Sequence, residues 1–129
     1  MHPAIADTER LAIFVFDSDM KEDGAHWRAF MPDKQYGERS LYRVDDLDFC
    51  DVAAIGQEVA RNRPEKKLRG WALIFASDVR GLSDVRLRSD EPPDRHGVID
   101  CWPAERHVKV SHAQLLADKA TTIRFPFAP

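Results

Sequence analysis

The sequence predicts an α+β domain, residues 1–129 as one unit. Its expected form is a mostly antiparallel sheet of about five to six strands with two helices on one face. Three observations predict it. Runs dense in β-branched and aromatic residues recur along the chain, which is the strand signature. Two other segments carry apolar residues at helical spacing. The order reads β-β-α-β-β-β-α-β, and strands that do not alternate regularly with helices favour an antiparallel sheet.

"RLAIFVFD", Arg10 to Asp17, is the first strand, apolar enough to be buried. Residues 18–38 carry Gly24, Pro32 and Gly37 and read as a long loop, with Trp27, Phe30 and Met31 packing back onto the domain. "RSLYRV", Arg39 to Val44, is a second strand. The two-residue period puts Leu41 and Arg43 on one face and Ser40, Tyr42 and Val44 on the other. A helix follows: Asp45, Asp46 and Asp48 offer N-caps, Val52, Ile55 and Val59 form one stripe, and Pro64 stops it. "GWALIFASDV", Gly70 to Val79, is a third and central strand, because its apolar run barely alternates. A turn or single helical turn precedes a more exposed strand over Asp84–Asp90, and "HGVIDCW" is the fifth. Ser111 caps a second helix to Ala120, with Ala113, Leu116, Ala117 and Ala120 as its stripe. "TTIRFPF" ends the sheet as an edge strand that tolerates Pro126.

Composition narrows the function. Hydrophobic residues make up 43% and charged residues 32%, which excludes a disordered chain and a membrane-embedded one. No apolar run approaches the roughly 20 residues that cross a bilayer. The N-terminal residues lack the basic and apolar regions of a secretory leader. Cys50 and Cys101 form no C-x-x-C pair, so reduced thiols in a cytoplasm are expected. The net charge of −3 disfavours general attraction to nucleic acid. Arg61, Arg63, Lys66, Lys67 and Arg69 crowd one basic stretch, expected as a solvated helix end and loop.

Catalytic signatures are sparse. There is no G-x-S-x-G elbow, phosphate loop or dinucleotide fingerprint. Asp17 and Asp19 match two positions of a calcium loop, but Lys21 and Glu22 break the pattern. His96, Cys101, His107 and His112 are zinc-type ligands without a zinc spacing, and no metal is expected. Cys50 and Cys101 read as core residues. Helix capping and dipole compensation explain three of the four acids Asp45, Asp46, Asp48 and Asp51 without a divalent ion.

What remains is Ser40, Arg43, Arg69, Arg95 and His96, each in or beside a strand. Guanidinium groups take phosphate bidentately and a histidine titrates near neutrality. The expectation is a pocket at a sheet end with His96 and Arg43 as candidate catalytic groups, and Ser40, Arg69, Arg95 and Trp102 binding the ligand. A phosphorylated small molecule (a nucleotide, an RNA end or a sugar phosphate) fits such a pocket, with transfer or hydrolysis as the chemistry, and no cofactor. The alternative is a non-catalytic partner protein of accessory or antitoxin type, with Trp27, Phe30, Trp71 and Trp102 as its interface.

The segments "RAFMP", "RSLYRV", "RGWALI" and "PPDRHGVIDCWP" carry a resemblance. Their order is similar to a pattern in a group of small bacterial proteins: A-F-M-P, then S-[VL]-[FY]-R before an acidic helix start, then R-H-x-x-I-x-x-W-P. Cys101 and Gly97 depart from it, standing where glycine and alanine are expected. The resemblance covers Trp27 to Pro103. It implies a cytoplasmic bacterial protein of one domain, and no particular activity.

Overall fold

Alternation within β1 (Arg10–Phe16) decides the architecture. Leu11, Ile13 and Val15 point to one face of the sheet, and Ala12 and Phe14 to the other. All are apolar, so both faces need cover. The computed structural model, which describes residues 4–125, supplies it on both sides.

A 3₁₀ turn follows β1, then a small hairpin of β2 (Met20–Lys21) and β3 (Gly24–Ala25) and a second 3₁₀ turn over Trp27–Phe30. Next come β4 (Arg39–Arg43), α1 (Phe49–Arg61), β5 (Leu68–Phe75) and the short α2 (Ala76–Arg80). The remaining elements are β6 (Arg86–Ser89), β7 (His96–Asp100), α3 (Arg106–Lys119) and β8 (Thr121–Arg124). The main sheet has six strands in the order β6-β7-β4-β1-β5-β8. Every neighbouring pair in it is antiparallel.

The α+β class and the strand count follow the expectation; the placement of both helices on one face does not. Leu11, Ile13, Leu41, Ile74 and Ile99 pack against α2, α3 and the Trp27–Phe30 turn. Ala12, Phe14, Tyr42, Trp71 and Leu73 pack against Val52 and Ala53 of α1. Two apolar faces require two covers, because burial is worth roughly 25 cal/mol per Å² of apolar surface. Boundaries shift as well. The third strand ends at Phe75, and Ala76–Arg80 turns helical, with Ala76 and Val79 buried. The last helix begins at Arg106, not Ser111. Pro126 and Phe127 lie outside the described residues.

Helix α1 is fixed at both levels. Asp48 caps it, accepting from the Asp51 N–H at 2.9 Å, while Asp51 accepts from the Asp48 N–H in a reciprocal box. Gly56 then lets the helix lie on the sheet: a Cβ there would meet the Phe14 ring at 2.8 Å.

Beyond α1 the same face, over β4, β7 and β6, is polar. Arg88 ties it together, donating to Asp100 at 2.6 Å, Glu38 at 2.9 Å and Asp90 at 3.1 Å. Burial pushes the Asp100 carboxyl up, but hydrogen bonds from Arg88 and Arg86 outweigh this and hold it below the ordinary range. A depressed carboxylate stabilises the fold above its unfolded value and loses that contribution as pH falls through the lowered one. The urea midpoint is therefore expected to drop below about pH 4. Arg88→Met should cost about 1–3 kcal/mol at neutral pH and flatten that acid limb. Equal acid limbs in the two proteins would show that Asp100 is not held by Arg88.

Candidate functional site

The structure divides the residues expected to converge. Tyr42 pairs with His96 across β4 and β7, their rings 5.3 Å apart, on the face that α1 covers in part. Ser40 stands on that face too, opposite Val98. Arg43 shares the parity of Leu41 and belongs to the opposite face. Its guanidinium is engaged by Glu9, Nε to Oε2 at 2.5 Å and an Nη to Oε1 at 2.9 Å. Arg95 does sit beside Arg43, since the Arg43 N–H donates to the Arg95 carbonyl. It forms a two-pronged pair with Asp46 at 2.5 and 3.0 Å.

Arg43 and Arg95 line a hollow of about 370 Å³ with five carboxylates: Glu9, Asp45, Asp46, Glu91 and Asp94. That hollow is acidic, so the expected anion pocket at these two arginines does not form. Arg69 is taken by Asp17 at 2.5 Å. Trp102 closes the other face, its indole N–H donating to the Ile99 carbonyl at 2.9 Å and its ring 6.2 Å from His112. His96 keeps its Nδ1 on the Asp90 carbonyl at 2.9 Å.

The zinc-type residues also separate. His112 is buried on the α3 side with Nε2 on the Ser83 carbonyl, whereas His96 faces the α1 side. Cys101 and Cys50, expected in the core, are exposed. Cys101 follows β7 at a positive φ of 59°, which turns its side chain out of the strand. Among the described residues no three His, Cys, Asp or Glu side chains group as metal ligands. The aromatic interface of the alternative reading is consumed by packing. Phe30 and Trp71 are buried, and Trp27 and Trp102 pack against the core.

A different opening exists, and the sheet makes it. Strand β1 pairs with β5 over its whole length but with β4 only at Leu11–Arg43 and Ala12–Tyr42. Beyond Ala12 the two strands part. Arg10 directs both its N–H and its carbonyl toward the β4 side, to Asp45 and Val44. By antiparallel alternation the peptide groups of Phe14 face the gap. Ser40, two residues before Tyr42, faces it from β4. The turn carrying Ala29 and Phe30 backs the gap from the α3 side.

Above the gap lies a groove of about 550 Å³. Its floor is Phe14, Ser40 and Tyr42, one wall is Ile55 and Val59 of α1, and Pro93 and Asp94 stand opposite. Arg39, Arg63 and Lys66 line it as well, where α1 ends, together with the carboxylates of Asp19 and Glu58. The Asp17 N–H donates to the Lys67 carbonyl at 3.0 Å, which draws the basic loop after α1 to the end of β1. The Arg63 guanidinium then sits 5.5 Å from the Phe16 ring centroid.

Arg39 is the unusual member. It reaches no carboxylate among the described residues; its Nη1 makes long contacts of 3.4 Å to the carbonyls of Ala29 and Met31. Its Nε is shut off from solvent and has no hydrogen-bond partner. The residue as a whole keeps part of its surface open. Burial, then the nearby Arg63 charge, lower its pKa to about 10, with Asp33 and Asp19 opposing. It therefore stays cationic at neutral pH. Buried guanidinium groups are almost always paired, because the desolvation cost is several kcal/mol per ion.

One sequence signal pointed to Arg39. The period that places Leu41 in the core also places Arg39 on the core-facing parity of β4, an expensive position for a cation. Arg63 and Lys66 lay in the basic stretch expected to be solvated. No family model matches the chain, and no curated protein or solved structure does either, so the site rests on its own geometry.

Proposed function

We propose that this protein recognises a small phosphorylated ligand in the groove between α1 and the parted strands β1 and β4. The phosphate lies against Arg39, Arg63 and Lys66, and the apolar body of the ligand covers Phe14 and Tyr42. The observation that carries the reading is the Arg39 guanidinium, which lines the groove, keeps part of its surface open and has no carboxylate partner among the described residues. A phosphate oxygen accepting from the Arg39 guanidinium supplies the missing counter-charge and offsets its repulsion with Arg63. The groove volume suits a nucleotide-sized molecule, and its lining sets apolar side chains (Phe14, Phe16, Tyr42, Ile55, Val59) beside charged ones of both signs. His96 lies outside the lining, so the reading is of binding and assigns no acid–base chemistry.

A thermal-shift series with phenyl phosphate, AMP and inorganic phosphate tests it. A ligand at about 100 times its Kd adds roughly 2.7 kcal/mol of stability, which raises the melting temperature by several degrees. Phenyl phosphate and AMP should do so, and inorganic phosphate, lacking the apolar body, should do less. Silence from all three sinks the reading.

A further inference from the structure

The gap between β1 and β4 leaves one rung of the sheet unmade. The Arg43 N–H donates to the Arg95 carbonyl, so the odd-numbered residues of β4 turn their peptide groups toward β7. The Val44 N–H donates to the Arg10 carbonyl, so the even-numbered residues of β4 and β1 turn theirs toward each other. Ala12 and Tyr42 are paired in that way. Two residues further, Phe14 would stand opposite Ser40, with the Phe14 N–H on the Ser40 carbonyl. The register stops before that pair, so the bond is not made. The pairing of β1 with β5 uses the odd-numbered residues and offers Phe14 no substitute. No other hydrogen bond among the described residues takes the Phe14 N–H or the Ser40 carbonyl. Peptide groups in the middle of a sheet are seldom left so.

The groove enters this gap. Ala29 is buried in the core on the α3 side, yet it lines the groove, which runs on the α1 side. The space therefore passes into the plane of the sheet beside Phe14 and Ser40, which line it too. The Ala12–Tyr42 pair closes the slot at one end, and Ala29 and Phe30 close it behind. Such a blind slot admits the edge of a flat group, and it has no room for a strand of peptide passing through.

We infer that the slot reads a nucleobase: the ligand is a nucleoside monophosphate whose base inserts a hydrogen-bonding edge between β1 and β4. A ring acceptor takes the Phe14 N–H, and the N–H beside it donates to the Ser40 carbonyl, so the base stands in for the missing rung. The inference rests on the phosphate reading given above and adds the class of the ligand's body. A ring amide, as in uracil, and an amidine, as in adenine, both set a donor next to an acceptor. A sugar phosphate or an aryl phosphate leaves both peptide groups unmet, and a site built to hydrogen-bond its ligand rejects analogues that cannot do so.

Calorimetric titration with matched pairs tests the rung. UMP and AMP offer the edge. N3-methyl-UMP and N6,N6-dimethyl-AMP keep ring and phosphate but lose the donor, ribose 5-phosphate has no base, and uridine has no phosphate. At least one of UMP and AMP should bind about tenfold or more tightly than its methylated partner and than ribose 5-phosphate, the scale of one buried hydrogen bond left unmade. Amide exchange followed by NMR reads the slot directly. In the free protein the Phe14 amide should exchange faster than those of Ile13 and Val15, which face β5. The tighter nucleotide at saturation should slow Phe14 selectively, and phenyl phosphate should not. Equal affinities within both pairs, or a Phe14 amide as protected as its neighbours in the free protein, overturn the base slot and leave the phosphate site standing. Uridine that binds as tightly as UMP overturns the phosphate reading and leaves the slot. Silence from every probe overturns both.

Discussion

Arg39→Met is expected to abolish phosphate binding and yet yield a protein that melts at or above the wild-type temperature. Most substitutions of partly buried residues lower stability. This one removes a charge whose Nε is sealed without a partner. Replacing poorly compensated buried ions by apolar groups of similar length is often neutral or stabilising. The opposing loss is small: two contacts at 3.4 Å to the Ala29 and Met31 carbonyls, worth about 1 kcal/mol together. The expected net gain is about 1–2 kcal/mol, a rise of roughly 3–6 °C for a domain this size. Binding should fall by about 2–4 kcal/mol, roughly 30- to 1000-fold, the cost of deleting one partner of a desolvated charge pair. Differential scanning calorimetry with and without phenyl phosphate reads both quantities. A variant that melts several degrees lower would mean the guanidinium is a structural element rather than a binding one.

Gly70→Ala is expected to do the reverse and break the fold. Gly70 lies where the β1–β5 register shifts between Val15 and Phe16, and it also pairs with Arg124 of β8. Its φ is 153°, in the region that glycine alone adopts readily, and an added Cβ would lie 2.0 Å from the Ile123 carbonyl oxygen. The obstacle is backbone, so β8 must move. With β8 goes Ile123 and then Phe125, whose ring lies 5.8 Å from Trp71. The loss should be about 3 kcal/mol or more, a large share of a typical stability of about 5–15 kcal/mol. Gly81→Ala is the control. Its nearest atoms would be 3.5 Å away and its φ is an ordinary −74°, so that change should stay within about 0.5 kcal/mol. Urea denaturation of the two variants side by side decides it. Equal midpoints would contradict the packing of β8 described above.

Much of the fold was legible because local chemistry and burial agree. The run "LAIFVF" announces a buried strand, and Asp48, Gly56 and Pro64 bracket and seat one helix. That β1 is apolar on both parities already required covers on two faces, and a one-face arrangement left Phe14 and Trp71 bare. The strand expected over Gly70–Val79 was cut short because Asp78 accepts from the Phe75 N–H at 3.0 Å and starts a helical turn. The site was much less legible. Arginines at strand ends looked available, but with 22 acidic residues against 19 Lys and Arg, most guanidinium groups find a carboxylate once the chain folds. Arg43, Arg69 and Arg95 each do. The parting of β1 from β4 has no local signature, since it depends on the Trp27–Phe30 turn filling the gap from behind. Nothing in residues 10–16 or 39–43 alone shows that their pairing stops after two positions.

The most direct test of the phosphate site is the arginine Nε–H spectrum by ¹H–¹⁵N NMR during a titration with phenyl phosphate, the Arg39 signal being assigned by its loss in Arg39→Met. The account predicts that the Arg39 Nε–H signal shifts in step with the titration as its guanidinium gains an anion, while the signals of Arg43 and Arg95, held by Glu9 and Asp46, stay in place. A titration that moves Arg43 and Arg95 and leaves Arg39 where it began would contradict it.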